Sequence, residues 1–141
     1  AEWRRLFAVN VDGAFYCTRA ALPFMLQTQS GSIINVSSMW GQVGASCEAG
    51  YSATKGAVIS LTAALAKEVA KDGVLVNCVS PGTVSSSKDA DMDAYTPCEL
   101  CYMERSGTDN ENANLICFMA SDEATYISGQ NFRIDGCRKK I

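Results

Sequence analysis

Ser38, Tyr51 and Lys55 carry the clearest chemical possibility in the chain. A tyrosine and a lysine four residues apart on a helix share one face, with Cβ atoms about 5–6 Å apart. A free phenol titrates near ~10 and is a poor base at neutral pH. A lysine ammonium held beside a phenol favours the phenolate. Such a phenol can exchange a proton with an alcohol or carbonyl oxygen near neutral pH. A serine hydroxyl across the site can hold that same oxygen. Together the three suit oxidation of an alcohol or reduction of a carbonyl, given a hydride carrier alongside.

Tyr-x-x-x-Lys alone recurs by chance on solvated helix faces, so its context decides. Ser38 follows the strand-like run Ser32-Ile33-Ile34-Asn35-Val36 directly, thirteen residues before Tyr51. Ser37 is a competitor for the same role. Neighbouring side chains on a strand face opposite sides, so only one of the two can point into the site; the spacing to Tyr51 favours Ser38. Downstream, the apolar run Val74–Val79 leads into Ser80-Pro81-Gly82-Thr83-Val84.

The elements that must position these residues alternate between helix and strand. Residues near 2–28 read as a helix, 32–37 as a strand, and the following residues to about 49 as a loop. A second helix is expected from Tyr51 to Lys71, with Val58, Leu61, Leu65 and Val69 forming an apolar stripe at spacings of three and four. Gly73 stands where a helix stop belongs. The run at 74–79 is almost continuously apolar, as in a strand covered on both faces. After a polar stretch at 85–94, helical pieces near 96–104 and 110–121 precede a last strand around 131–135. This alternation predicts an α/β fold with a parallel sheet.

The motifs, in this order, resemble the short-chain dehydrogenase/reductase family, and within it the 3-oxoacyl-[acyl-carrier-protein] reductases, from about Trp3 to Gly136. Asn10, within FAVNVDGAFYCTRAALP, matches the family's catalytic asparagine, and Ser38, Tyr51 and Lys55 match its serine, tyrosine and lysine. Pro81-Gly82 matches the turn against the nicotinamide, and Val84 the residue whose backbone meets the carboxamide. Ser86 stands where the family usually has a threonine near the cofactor phosphates. FMASDEATYISGQNFRIDG resembles the family's final helix, loop and strand.

The resemblance implies a partial Rossmann-type, doubly wound parallel sheet, with residues 1–141 as the C-terminal catalytic half of one domain. Tyr51 would be the general acid/base, Lys55 would also hold the nicotinamide ribose, and Asn10 would position a water in the proton relay. NAD or NADP would bind, with NADPH slightly favoured. A homodimer or homotetramer and a cytoplasmic location are implied as well. Neither the G-x-G-x-x-G turn that holds a pyrophosphate at a helix N-terminus nor its looser variant occurs in the chain. The nucleotide-binding half is therefore expected in a longer protein. Without it, the strand near 32–37 is expected to have an open edge.

Composition fits one globular unit. The 141 residues are 48% hydrophobic and carry a formal charge of −3, with no basic tract to suggest nucleic-acid or membrane attachment. No apolar stretch approaches a bilayer span. Seven cysteines at irregular spacing argue against a secreted disulfide framework. Cys98-Glu99-Leu100-Cys101 has the spacing of a redox pair or half a zinc site, but there is no histidine and no second C-x-x-C. No metal is expected.

For the substrate, a small-molecule or carrier-bound carbonyl is implied, with Ser38, Cys47 and Glu48 as candidate pocket residues. The loop from Met39 to Glu48 resembles a subgroup of bacterial reductases, some of them linked to a ketone on a modified lysine of elongation factor P. Glu48 could pair with a cation on such a substrate. Asn112 stands where relatives have a packing residue, and Cys137 where they commonly repeat glycine. A second class of function is a non-catalytic remnant that only associates with relatives of itself. The intact Asn10, Ser38, Tyr51 and Lys55 favour the enzyme.

Overall fold

The computed structural model describes residues 1–85 and 98–139. Three strands form a parallel sheet in the order β1-β2-β5, with β1 at Gly31–Val36, β2 at Val74–Pro81 and β5 at Asn131–Ile134. Ile33 pairs with Val76, Asn35 with Cys78, and Pro81 with Ile134. The expected parallel α/β sheet is present. As expected, β1 has one strand neighbour among the described residues, and Val36 on it is 48% exposed.

The helix expected over 2–28 is a run of three pieces: α1 (Glu2–Phe7), a π segment (Ala8–Asp12) and α2 (Gly13–Thr28). It stops at Gln29, which is left-handed at φ 50°. The loop after β1 contains a short helix, α3 (Trp40–Val43), that the sequence did not signal. The second long helix, α4, spans Ala49–Val69 and tightens into a 3₁₀ turn at Ala70–Asp72. Gly73 ends it at φ +71°, with the Gln29 carbonyl lying where a Cβ would go. Only glycine suits both the backbone angle and that contact.

One face of the sheet carries the core. Val74 and Val76 of β2 pack against Ala66 and Val69 of α4, and Leu22, Met25 and Ile33 close the cluster. Within this apolar layer sits one polar chain. The Asn35 amide donates to Thr62 Oγ1 at 2.9 Å, and the Thr62 hydroxyl donates to the Val58 carbonyl at 2.9 Å. These bonds tie the middle of β1 to the middle of α4. On the other face lies α5 (Asp109–Met119), whose Met119 is fully buried and whose last carbonyl accepts from the Ser32 hydroxyl at 3.2 Å. A capping box of Thr108 and Glu111 starts α5, and the Arg105 guanidinium holds the Glu111 carboxyl down to about 2.

The helical piece expected near 96–104 is not a helix over its described part, 98–104. That segment shares its backbone bonds between a local turn, where Glu104 N–H donates to the Cys101 carbonyl, and the C-terminal tail. Tyr102 N–H donates to the Cys137 carbonyl, Met103 N–H to Gly136, and Lys139 N–H to Leu100. A two-residue parallel ladder, β3 (Val84–Ser85) with β4 (Gly107–Thr108), was also unsignalled. Among the described residues no helix is long and apolar enough to cross a membrane.

Thr62→Val keeps the shape of the core but leaves the buried Asn35 amide without its acceptor. Stability in urea denaturation is expected to fall by about 1–3 kcal/mol. Asn35→Leu combined with Thr62→Val should cost less than the sum of the two single changes, and strict additivity would show that the bond contributes nothing.

Candidate active site

Past Val36 the chain continues beside β2, with Ser37 N–H donating to the Val79 carbonyl and Met39 N–H to the Pro81 carbonyl, both at 2.8 Å. The two serines between them then make different bonds. The Ser37 hydroxyl donates to the Lys55 backbone carbonyl at 2.8 Å, which commits it to α4. Ser38 Oγ accepts from Trp40 N–H at 3.2 Å and keeps its proton for another acceptor.

Tyr51 and Lys55 lie in the first two turns of α4. Lys55 Nζ donates to the Val36 carbonyl at 3.0 Å and lies 5.6 Å from the centre of the Tyr51 ring. An ammonium has three donors, so two remain for a ligand. Burial pushes Lys55 below its ordinary value of 10.5, with the Cys78 thiol nearby acting in the opposite direction. Asn10 sits in the π segment, a form of helix that frequently occurs at functional positions. Its amide donates to Thr54 Oγ1 at 3.0 Å, and the Thr54 hydroxyl donates to the Tyr51 carbonyl at 2.7 Å. The structure thus joins Asn10 to the residue beside Lys55, and Lys55 to the strand end that precedes Ser38.

Two glycines hold the loop against the helix. A Cβ at Gly41 would lie 2.6 Å from the Lys55 carbonyl carbon and 2.9 Å from Gly56 N, while one at Gly56 would lie 3.1 Å from the Gly41 carbonyl oxygen. Backbone therefore packs on backbone beside Lys55. Pro81 and Gly82 sit where β2 meets β5: Gly82 N–H donates to the Ile134 carbonyl at 2.9 Å, and a Cβ there would come within 2.8 Å of Asp135. Carboxyl ends of parallel strands are where ligands bind in such sheets. Val84 follows in β3, and Ser86 lies outside the described residues.

Cys47 and Glu48 are both exposed, Cys47 at φ 65° and Glu48 at the N-terminus of α4 without a side-chain capping bond. Glu48 lines a cleft of about 800 Å³ together with Trp40 and Arg138, and Cys47 is not among the lining residues. Cys98 and Cys101 are buried and line a different cavity of about 320 Å³. The residues that sequence reasoning missed are Gly41, Gly56 and Arg138. Gly41 and Gly56 stand fifteen positions apart on different elements, so no local pattern pairs them.

A family model described as Enoyl-(Acyl carrier protein) reductase matches residues 1–137. The chain is 43% identical over 138 residues to the 3-oxoacyl-[acyl-carrier-protein] reductase FabG of Staphylococcus aureus, covering 96% of this chain and 56% of that one. Among solved structures it is similar to acetoin dehydrogenase YohF from Salmonella typhimurium, with 32% identity, a TM-score of 0.85 and coverage of 96% and 54%. It is also similar to L-sorbose reductase from Gluconobacter frateurii, solved with NADPH and L-sorbose, with 28% identity, a TM-score of 0.89 and coverage of 99% and 59%. The chain spans about half the length of the curated relatives it matches.

Gly41→Ala would drive α3 away from α4 at Lys55. Stability is expected to fall by about 1–3 kcal/mol, as for overpacking elsewhere. Amide chemical shifts should move at Ser38, Trp40 and Lys55, and unchanged shifts there would show that the contact can yield.

Proposed function

The chain belongs to the short-chain dehydrogenase/reductase family, and on that premise we propose that it carries the catalytic half of a nicotinamide-dependent oxidoreductase. The reaction is the interconversion of a carbonyl and a secondary alcohol, as in the 3-oxoacyl-[acyl-carrier-protein] reductases it resembles. The observation that carries this reading is Lys55, bonded to the end of β1 beside the Tyr51 ring, with Ser38 just beyond that strand end.

The residues present fit the cofactor. Lys55 has two donors left after its bond to Val36, suited to ribose hydroxyls. The Pro81-Gly82 turn offers backbone and a ring without a protruding polar chain, suited to a flat nicotinamide. By the family pattern, Val84 would meet the carboxamide through its backbone and Ser86 would serve the cofactor phosphates. The cofactor supplies the hydride when bound. Tyr51 then gives its hydroxyl proton to the carbonyl oxygen during reduction, and takes one from the alcohol during oxidation. Ser38 donates a hydrogen bond to that oxygen and keeps it within reach of the phenol. The Lys55 ammonium stabilises the phenolate left behind. Asn10, anchored through Thr54, positions a water that returns the proton.

A homodimer or homotetramer in the cytoplasm completes the reading. Its support is the apolar surface on the first helices, where Trp3 is 56%, Val9 67% and Phe24 73% exposed. Exposed apolar groups along these helices suit burial against a second copy or against the rest of a longer chain. A remnant that only associates would keep that surface but would have no use for Ser38, Tyr51 and Lys55.

The deciding experiment uses the full-length protein with NADPH and NADH on 3-oxoacyl thioesters. Tyr51→Phe is expected to lower turnover by about 10²–10⁴-fold while leaving cofactor binding largely intact. Substantial residual turnover would remove the acid/base role, and a wild-type protein inert with both cofactors would favour the remnant. The serines should separate: Ser38→Ala lowers turnover with little change in melting temperature, whereas Ser37→Ala lowers the melting temperature.

A further inference from the structure

Cys98-Glu99-Leu100-Cys101, a motif that the reductase chemistry leaves unused, opens the turns found over 98–104. Glu99 and Leu100 form the turn between the two cysteines. A four-residue turn holds its end Cα atoms within about 7 Å, and a disulfide spans Cα atoms about 4.4–6.8 Å apart. Both cysteines are buried, at 8% and 3% exposure, and both line the cavity of about 320 Å³. The Cys101 thiol donates within its own turns, to the Cys98 carbonyl at 3.9 Å and the Arg105 carbonyl at 3.3 Å. Among the described residues no group of three or more His, Cys, Asp or Glu side chains could hold a metal ion. The pair is left to thiol chemistry.

The two sulfurs stand in different surroundings. A Cβ at Gly136 would lie 3.1 Å from Cys101 Sγ, so the backbone of the tail covers that sulfur. Cys98 borders a second cavity, of about 210 Å³, with Glu99, Glu104 and Lys139. Burial pushes the Cys98 thiol up, but hydrogen bonds from the Thr83 side chain and from Leu100 and Cys101 outweigh it. The thiol ends below its ordinary value of 9.0. The thiolate, not the thiol, is the nucleophile. Cys137 lines the larger cavity too, yet neither hydrogen bond of the Cys101 thiol goes to the tail.

We propose that Cys98 and Cys101 are a redox-active dithiol, with Cys98 attacking hydrogen peroxide and Cys101 closing the disulfide. The Cys98 sulfur bonds one peroxide oxygen as the O–O bond breaks. The other oxygen leaves as hydroxide and takes up the proton that Cys98 had lost. Cys101 then attacks the Cys98 sulfenic acid: the S–S bond forms, the S–O bond breaks, and water leaves with the Cys101 proton. The two thiols give up two electrons and two protons, and the peroxide becomes two waters. A disulfide has no S–H, so the Arg105 carbonyl loses its bond from Cys101. Arg105 carries the ion pair to Glu111 at the start of α5, and Gly107 N–H donates to the Thr83 carbonyl beside the Pro81-Gly82 turn. Oxidation therefore acts on the strap between that turn and α5.

The test treats the full-length protein, reduced beforehand, with hydrogen peroxide and maps its tryptic peptides by mass without reductant. No Lys or Arg separates Cys98 from Cys101, so both stay in one peptide. That peptide should become lighter by two hydrogens, and dithiothreitol should restore its two thiols. In Cys101→Ser the reaction should stop at the sulfenic acid, which dimedone traps at Cys98 ahead of the exposed Cys17, Cys47 and Cys117. In Cys98→Ser, Cys101 should remain untrapped. A disulfide from either residue to Cys137, or a peptide that keeps both thiols while the exposed cysteines oxidise, overturns the pair. Trapping at Cys98 no faster than at the exposed thiols overturns its role as the attacking sulfur. The wild-type map needs no variant, so it decides the pairing even if a substituted protein fails to fold.

Discussion

Lys55 is held to the end of β1 twice, through its side chain and through its backbone. Its ammonium bonds the Val36 carbonyl at 3.0 Å, and its own carbonyl accepts from the next residue of that segment, Ser37, at 2.8 Å. The two bonds run in opposite directions between the same helix turn and the same strand end. They set both the distance and the rotation of α4 against the sheet at the point where chemistry is proposed.

Other contacts continue the attachment of α4, to α3 beside Lys55 and to the sheet farther along. Gly41 and Gly56 bring backbone against backbone beside Lys55, Thr62 bonds Asn35, and Ala66 with Val69 covers Val74 and Val76. Polar bonds thus lie towards the site and apolar packing lies away from it. Buried hydrogen bonds are directional and specify one register. Apolar contacts stabilise in proportion to area and tolerate small shifts. A site that must place a phenol, an ammonium and a hydroxyl around one oxygen gains from having the directional contacts nearest to it.

Across the loop from the proposed catalytic residues, charge is distributed unevenly. The chain as a whole is acidic at −3, yet the cleft beside Trp40 gathers Arg133, Arg138 and Lys139. Local potential in a cleft depends on which charges face it and not on the sum over the molecule. The tail that supplies two of these cations is fixed by bonds to the segment 98–104, whose own backbone would otherwise have been free to coil into a helix.

The sequence by itself determined the α/β alternation, the strand and helix carrying Ser38, Tyr51 and Lys55, the stop at Gly73 and the family. Each of these is a short-range signal: an apolar period, a residue type at a turn, or a motif within a few tens of positions. It also favoured Ser38 over Ser37, through the thirteen-residue spacing to Tyr51. Tertiary structure alone decided what Ser37 does, since its partner carbonyl belongs to Lys55 on another element. The same holds for Gly41 against Gly56, and for the tail that turned an expected helix near 96–104 into turns. Arg138 belongs to no motif and is stacked on Trp40, ninety-eight positions away. Such pairings arise only when the sheet order β1-β2-β5 brings distant segments to one end of the strands. No period or local propensity encodes a contact whose two halves lie on different elements.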